Sequence, residues 1–201
     1  MSKVKFSNLH ISTLTLDQEK SQQTAITTVL NNKLLLCEHE TLLSAIVKGT
    51  SNDVYYLLLK GVSPNIPPNI LQIAITKKDM SVIRFLLRHG SNPNYIGADN
   101  MSSMHMAAIN GDINLLRTLI HNGGDSLIKN KMGYTLLHMA AIGLCKGNQS
   151  CWKVITFLFT NYARLLDPYA LTNKGVNAGN IISTCYKYSV KYWNLLETHG
   201  F

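Results

Sequence analysis

Four segments of this chain repeat one another: Leu42-Leu43-Ser44-Ala45, Leu71-Gln72-Ile73-Ala74, Met104-His105-Met106-Ala107-Ala108 and Leu137-His138-Met139-Ala140-Ala141. Their first alanines, Ala45, Ala74, Ala107 and Ala140, define successive intervals of 29, 33 and 33. A second marker follows each of the first three: Tyr56-Leu57-Leu58-Leu59-Lys60-Gly61, Phe85-Leu86-Leu87-Arg88-His89-Gly90 and Thr118-Leu119-Ile120-His121-Asn122-Gly123, whose glycines are 29 and 33 apart. A period of this size means that one supersecondary unit is copied along the chain and that its apolar face is buried only by stacking on its neighbours. Each block reads as a short helix with a small residue where backbones approach, a turn, and a longer helix with an apolar stripe that ends at glycine. Ser63-Pro64-Asn65 and Ser91-Asn92-Pro93-Asn94 then supply turn chemistry. Every apolar stripe has helical spacing, so the expectation is an all-α protein without a hydrophobic sheet core.

Tyr134-Thr135-Leu136-Leu137-His138-Met139-Ala140-Ala141 and Leu86-Leu87-Arg88-His89-Gly90-Ser91-Asn92-Pro93-Asn94 resemble the two halves of the ankyrin-repeat consensus, and motif, order and period agree. The resemblance implies an ankyrin-repeat solenoid of stacked helix-turn-helix units with short β-hairpin-like fingers. It covers 40–161 firmly, as four repeats at about 40–68, 69–101, 102–134 and 135–168.

The departures from this pattern are local. The first interval is four residues short, so the connection Asn65-Ile66-Pro67-Pro68-Asn69 is expected to be a clipped finger whose prolines donate no backbone hydrogen bond. About six residues are inserted between the helices of the fourth repeat, around Gly143-Leu144-Cys145-Lys146-Gly147-Asn148-Gln149-Ser150-Cys151, and are expected in a surface loop. Asn180-Ile181-Ile182 and Trp193-Asn194-Leu195-Leu196-Glu197-Thr198-His199-Gly200 suggest a degenerate fifth repeat over 169–201, acting as a C-terminal cap. Over 1–39 a helix running from about Asp17 to Leu30, with Ala25, Ile26, Val29 and Leu30 as its stripe, is either an N-terminal cap or an eroded first repeat.

Composition bounds the chemistry. Apolar residues at 46% and charged residues at 15% describe a packed chain rather than a disordered one. Nineteen Lys and Arg against eleven Asp and Glu give a formal charge of +8. That surplus would steer acidic partners or nucleic acid, yet it is dispersed, with Lys77-Lys78 its only adjacent pair. Cys37, Cys145, Cys151 and Cys185 form neither a C-x-x-C pair nor a zinc-finger spacing with histidine. No secretion signal or membrane-length apolar run is evident. The expectation is therefore a cytoplasmic protein in a reducing compartment, with free thiols, no metal and no cofactor, and the Asn100-Met101-Ser102 and Asn148-Gln149-Ser150 sequons are discounted.

No constellation specifies catalysis. His39-Glu40 begins like a zinc-protease motif, but Leu43 stands where its second histidine belongs. Gly123-Gly124 falls at a helix end and lacks the following Gly-Lys of a phosphate loop. His105 and His138 recur at the same place in consecutive repeats. A catalytic histidine needs one special environment, whereas a repeated one answers a repeated structural need; in the ankyrin family this histidine typically hydrogen-bonds backbone in the connecting loops. Tyr186, Lys187, Tyr188, Lys191, Tyr192 and Trp193 interleave rings and charges as single-strand-binding surfaces do, but a capping helix with rings inward and lysines solvated explains them more simply.

The resemblance implies a non-catalytic protein-interaction module, an adaptor, inhibitor or effector, binding through its concave surface. In the family, contacts cluster on fingertips and on the exposed ends of the first helices. Carried onto this chain, these are Ala98, Asp99, Met101, Ile109 and Asn110 in the third repeat and Lys131, Met132, Tyr134 and Ile142 in the fourth, with Thr76, Lys77, Val47 and Lys48 as the helix-end equivalents earlier. The composition and eroded repeats also resemble small ankyrin proteins of poxviruses and intracellular bacteria. That likeness implies a host signalling, trafficking or ubiquitin-pathway partner in the host cytoplasm. A nucleic-acid-associated protein using the positive charge is the alternative.

Overall fold

The computed structural model describes residues 42–201, which form helices and, among the described residues, no strand. The helix expected between Asp17 and Leu30, the whole 1–39 unit and Cys37 lie outside the described residues. The helices are α1 (42–48), α2 (Ser51–Leu59), α3 (Ile70–Lys77), α4 (Met80–Arg88), α5 (Ser103–Ile109), α6 (Ile113–His121), α7 (Leu136–Cys145), α8 (Cys151–Tyr162), α9 (Ala178–Ser183) and α10 (Tyr186–Thr198).

Local chemistry sets where these helices start. Asp79 accepts from the amides of Ser81 and Val82 at the start of α4, and Asp112, one period on, accepts from Leu115 at 2.9 Å at the start of α6. The shorter helices α5, α7 and α9 begin at Ser102, Thr135 and Asn177, each in a reciprocal capping box with the residue three further on. Gly90, with φ +89°, ends α4 while its own amide and that of Ser91 return to Leu87 and Leu86. That left-handed turn is inexpensive only without a Cβ.

The helices pack as antiparallel neighbours, α3 on α4, α5 on α6, α7 on α8 and α9 on α10. The short members stack α3–α5–α7–α9 and the long members α2–α4–α6–α8. Ala74, Ala107, Ala108, Ala140 and Ala141 are fully buried in the short-helix row, where the absence of a longer side chain lets the helices approach. From Val82, Ile83, Leu86 and Leu87 on α4 to Val154, Ile155, Leu158 and Phe159 on α8, one continuous apolar core runs the length of the stack. At its end α10 meets α8 through rings, Tyr188 on Trp152 and Tyr192 edge-on to Phe159, both with centroids 6.0 Å apart.

Two expectations are corrected. The extra residues of the fourth block do not form a loop from Gly143 to Cys151. α7 has ten residues where α5 has seven, α8 has twelve where α6 has nine, and only 146–150 separates them. Gly143 is a helical, buried position where a Cβ would collide with the Ile109 carbonyl oxygen and come within 2.5 Å of the Cys151 sulfur, so the lengthened helix presses on its neighbour. Cys151 opens α8, is fully buried and directs its thiol to the Ile109 carbonyl. The second correction concerns the thiols. Cys145 and Cys185 are joined by a disulfide, with Cα atoms 5.6 Å apart, because the stacking of α7, α9 and α10 brings together two distant parts of the chain. Among the described residues only Cys151 remains a free thiol.

The turns between paired helices provide a stability test. The cap after α3 is Lys78, left-handed at φ +59°, while the equivalent position of the next repeat is Gly111 at φ +66°, where a Cβ would lie 2.7 Å from the Cys151 amide nitrogen. Gly111→Ala is expected to destabilise by about 2 kcal/mol or more, combining a left-handed penalty of about 1–2 kcal/mol with a backbone clash. Lys78→Gly is expected to raise or leave unchanged the melting temperature. Urea unfolding of both variants checks the pair.

Candidate protein-interaction surface

Three loops between a long helix and the next short one carry the same tight turn. Gly97 donates to the Met101 carbonyl at 2.9 Å, Asn130 to Tyr134 at 3.0 Å and Thr172 to Val176 at 2.9 Å. These are the fingers. They are hydrogen-bonded turns rather than strand pairs, and the prolines of the first, clipped connection leave no equivalent there. The third finger is not anticipated from sequence, because the lengthened α7 and α8 put it out of register with the repeat period. Asn173-Lys174-Gly175 against Lys131-Met132-Gly133, each followed by a capping box, is the signal that could have revealed it.

Each finger is held by a side chain from the short helix before it. His105 receives the Ser102 amide at Nδ1 (3.2 Å), so its proton sits on Nε2, which donates to the Tyr134 carbonyl at 3.1 Å. His138 repeats the arrangement, receiving the Thr135 amide at 3.2 Å and donating to the Val176 carbonyl at 3.0 Å. With both ring nitrogens engaged by backbone, neither histidine offers a lone pair to a metal or a substrate. At the same position of the previous unit stands Gln72, whose Nε2 donates to the carbonyls of Met101 (2.6 Å) and Tyr95 (3.1 Å). Gln72 does not stand out along the chain because it replaces the recurring histidine with a different donor. Asparagines tie finger to finger: Asn130 Nδ2 to the Asn100 carbonyl at 2.9 Å, and Asn173 Nδ2 to the Lys131 carbonyl at 3.0 Å.

The contact positions carried over from the family fall into two groups. Ala98, Asp99 and Thr76 are brought together, lining with Gln72, Ile73 and Met106 a groove of about 490 Å³ between the first full finger and the short helices. Lys131 and Met132 are exposed on the next finger, and Val47, Lys48, Lys77 and Asn110 are exposed at short-helix ends. Met101, Ile109, Tyr134 and Ile142 are less accessible. Each is half-buried against the core, and the Tyr134 ring lies edge-on to His138 at 5.7 Å. They present only part of their surface because the rest packs against the core, and the backbone carbonyls of Met101 and Tyr134 are the acceptors of Gln72 and His105.

A solenoid of helix pairs whose fingers are clamped by buried donors defines the class. The chain belongs to the ankyrin-repeat family: the family model for ankyrin repeats in three copies matches residues 42–130 and 71–166. It is similar to Notch-regulated ankyrin repeat-containing protein A of Danio rerio, 28% identical over 98 residues that span 47% of this chain and 82% of that one. The human Notch-regulated ankyrin repeat-containing protein is 28% identical over 95 residues, 45% of this chain and 78% of that protein. Human SH3 and multiple ankyrin repeat domains protein 1 is 31% identical over 116 residues, 54% of this chain but 5% of that much longer protein. Members of this family typically act as non-catalytic scaffolds for protein–protein interaction. Among the described residues no helix is long and apolar enough to cross a membrane.

The clamps carry a pH signature. Burial lowers the pKa of both histidines; at each, a backbone acceptor opposes the shift, and at His138 Lys129 deepens it while Asp167 opposes it. A histidine whose folded pKa is depressed binds its proton more readily in the unfolded chain. Its stabilising contribution is therefore complete above the unfolded value of 6.5 and declines as pH falls from there toward the lowered folded value. The melting temperature is expected to drop between pH 7.5 and 5, and less steeply in His105→Gln/His138→Gln. At pH 7.5, Gln72→Ala and His105→Ala are expected to lose about 1–3 kcal/mol each for the abandoned carbonyls. His105→Gln should lose less, since Gln72 already makes that bond.

Proposed function

We propose that the chain is a non-catalytic interaction module that binds a partner protein on the concave side formed by its fingers and short helices. The observation that supports this most directly is the groove between Thr76 and the Ala98–Asp99 fingertip. Its walls are held by buried hydrogen bonds, so the exposed side chains are presented at fixed spacing and little ordering is required on binding. The groove is mixed in character, with Ile73 and Met106 beside Asp99 and the Gln72 amide, which suits a protein segment with both apolar and polar side chains. A host protein as partner would follow if the chain acts inside a host cell.

The test is photo-crosslinking from the intact chain in a lysate, with the crosslinker placed at Ala98 or Met132 on the concave side and at Asn114 or Arg84 on the outer helices. Capture of one protein from the first pair alone is the expected result, and Ala98→Arg/Thr76→Arg should abolish it without changing the melting temperature. Capture of that protein from the outer-helix positions instead would place recognition on the convex face and overturn the assignment.

A further inference from the structure

The distribution of charge narrows the kind of partner. Of the seven acidic residues from 42 to 201, six are aspartates that accept local backbone or capping hydrogen bonds: Asp53, Asp79, Asp99, Asp112, Asp125 and Asp167. The fifteen Lys and Arg of the same stretch are not matched by them in number, so the surplus must show on the surface. It is not uniform across the fingers. The first, at Ala98 and Asp99, has no lysine, whereas the second exposes Lys129 and Lys131 and the third exposes Lys174. Lys131 and Lys174 have no acidic partner among the described residues, whereas Lys129 lines a cleft together with Asp167, Leu165 and Leu166.

The second and third fingers form one ledge. The Asn173 amide donates to the Met132 carbonyl at 3.0 Å, the Asn173 side chain donates to the Lys131 carbonyl, and Gly133 lies so close to Thr172 that an added Cβ would sit 3.0 Å from its Cα. Lys131 and Lys174 therefore stand on abutting tips whose backbone positions are fixed. The same two fingers expose two aliphatic side chains, Met132 at 40% and Leu171 at 57%. We propose that this ledge of Lys131, Met132, Leu171 and Lys174 receives an extended acidic segment of the partner protein, one in which carboxylates alternate with aliphatic side chains. The proposal rests on the interaction reading above and adds the chemistry of what is bound.

Fixed lysines attract carboxylates over a Debye length and select against basic or neutral segments, while Met132 and Leu171 supply the desolvated contact that charge alone does not. A nucleic-acid strand would use the same charge, but it also uses stacked rings and arginine planes. The exposed apolar side chains of this ledge, Met132 and Leu171, are aliphatic and it carries no arginine, which favours a protein segment.

Three fluorescein-labelled probes separate the cases on the full chain: a twelve-residue peptide alternating Glu and Leu with Ser spacers, its Gln-for-Glu counterpart, and a thymidine oligonucleotide of the same length. The Glu peptide is expected to bind about tenfold or more tightly than the Gln peptide. Lys131→Glu/Lys174→Glu is expected to remove that advantage, Met132→Ser/Leu171→Ser to weaken binding several-fold, and Lys153→Glu/Lys191→Glu on α8 and α10, with the same change of charge, to leave it within about threefold. Melting temperatures confirm that the variants are folded, and Lys131→Ser/Lys174→Ser replaces the charge reversal if that variant is not. Equal loss in both charge-reversed variants would reduce the effect to net charge and overturn the ledge. Tighter binding of the oligonucleotide with the same dependence on Lys131 and Lys174 would reassign it to nucleic acid. Equal affinity for the Glu and Gln peptides would overturn the acidic preference while leaving the interaction reading intact, since crosslinking from Ala98 does not depend on it.

Discussion

The hydrogen bond from a buried side chain on each short helix to the backbone of the following finger is the contact on which the remaining geometry depends. Gln72, His105 and His138 each reach a carbonyl about one repeat ahead, in Met101, Tyr134 and Val176. Each bond crosses a unit boundary, so it sets both the tilt of the finger and the distance to the next helix pair. The acceptors are partly buried carbonyls that would otherwise be unsatisfied, and leaving a buried polar group unpaired is more damaging than the net gain of making the bond. In the same row of short helices the alanines are fully buried, where a longer side chain would hold the helices apart.

Where the repeat changes length, most of the adjustment is made in helices, and the connection grows only from 110–112 to 146–150. The fourth pair adds about a turn to α7 and to α8, and the extra length is accommodated by a glycine at the point of closest approach, Gly143, and by a buried cysteine, Cys151, whose thiol burial pushes its pKa up to about 11. A longer helix pair buries more apolar surface than an exposed loop of the same residue number could. The final pair is attached differently, through the rings of Trp152, Phe159, Tyr188 and Tyr192 and the Cys145–Cys185 disulfide.

The same economy of polar groups shapes the surface. Aspartate is the side chain of choice for helix N-caps and tight turns because its short carboxylate reaches the free amides of its own chain segment. With fifteen Lys and Arg against seven Asp and Glu over 42–201, the protein meets solvent with a basic excess, and the finger backbone holds Lys131 and Lys174 on abutting tips. Recognition in this reading is thus a by-product of how the turns are built.

The repeat period, the helical pairs, the turn residues and the recurrence of His105 and His138 are legible along the chain, because each follows from short-range spacing: apolar residues at helical intervals, glycine after the long helix, a capping residue three positions before the histidine. The exposure of Lys131 and Met132 at a fingertip follows from the same register. The role of Gln72 is not legible, since a glutamine reads as a surface residue until the carbonyls of Tyr95 and Met101 are placed around it. Nor is the half-burial of Met101, Ile109, Tyr134 and Ile142, the helical position of Gly143, or the joining of Cys145 to Cys185, for each depends on a partner a full repeat or more away along the chain. Local pattern determined which units the chain makes. Only their stacking decided which side chains close the stack and which remain free to meet another molecule, because burial is a property of neighbours and not of sequence position.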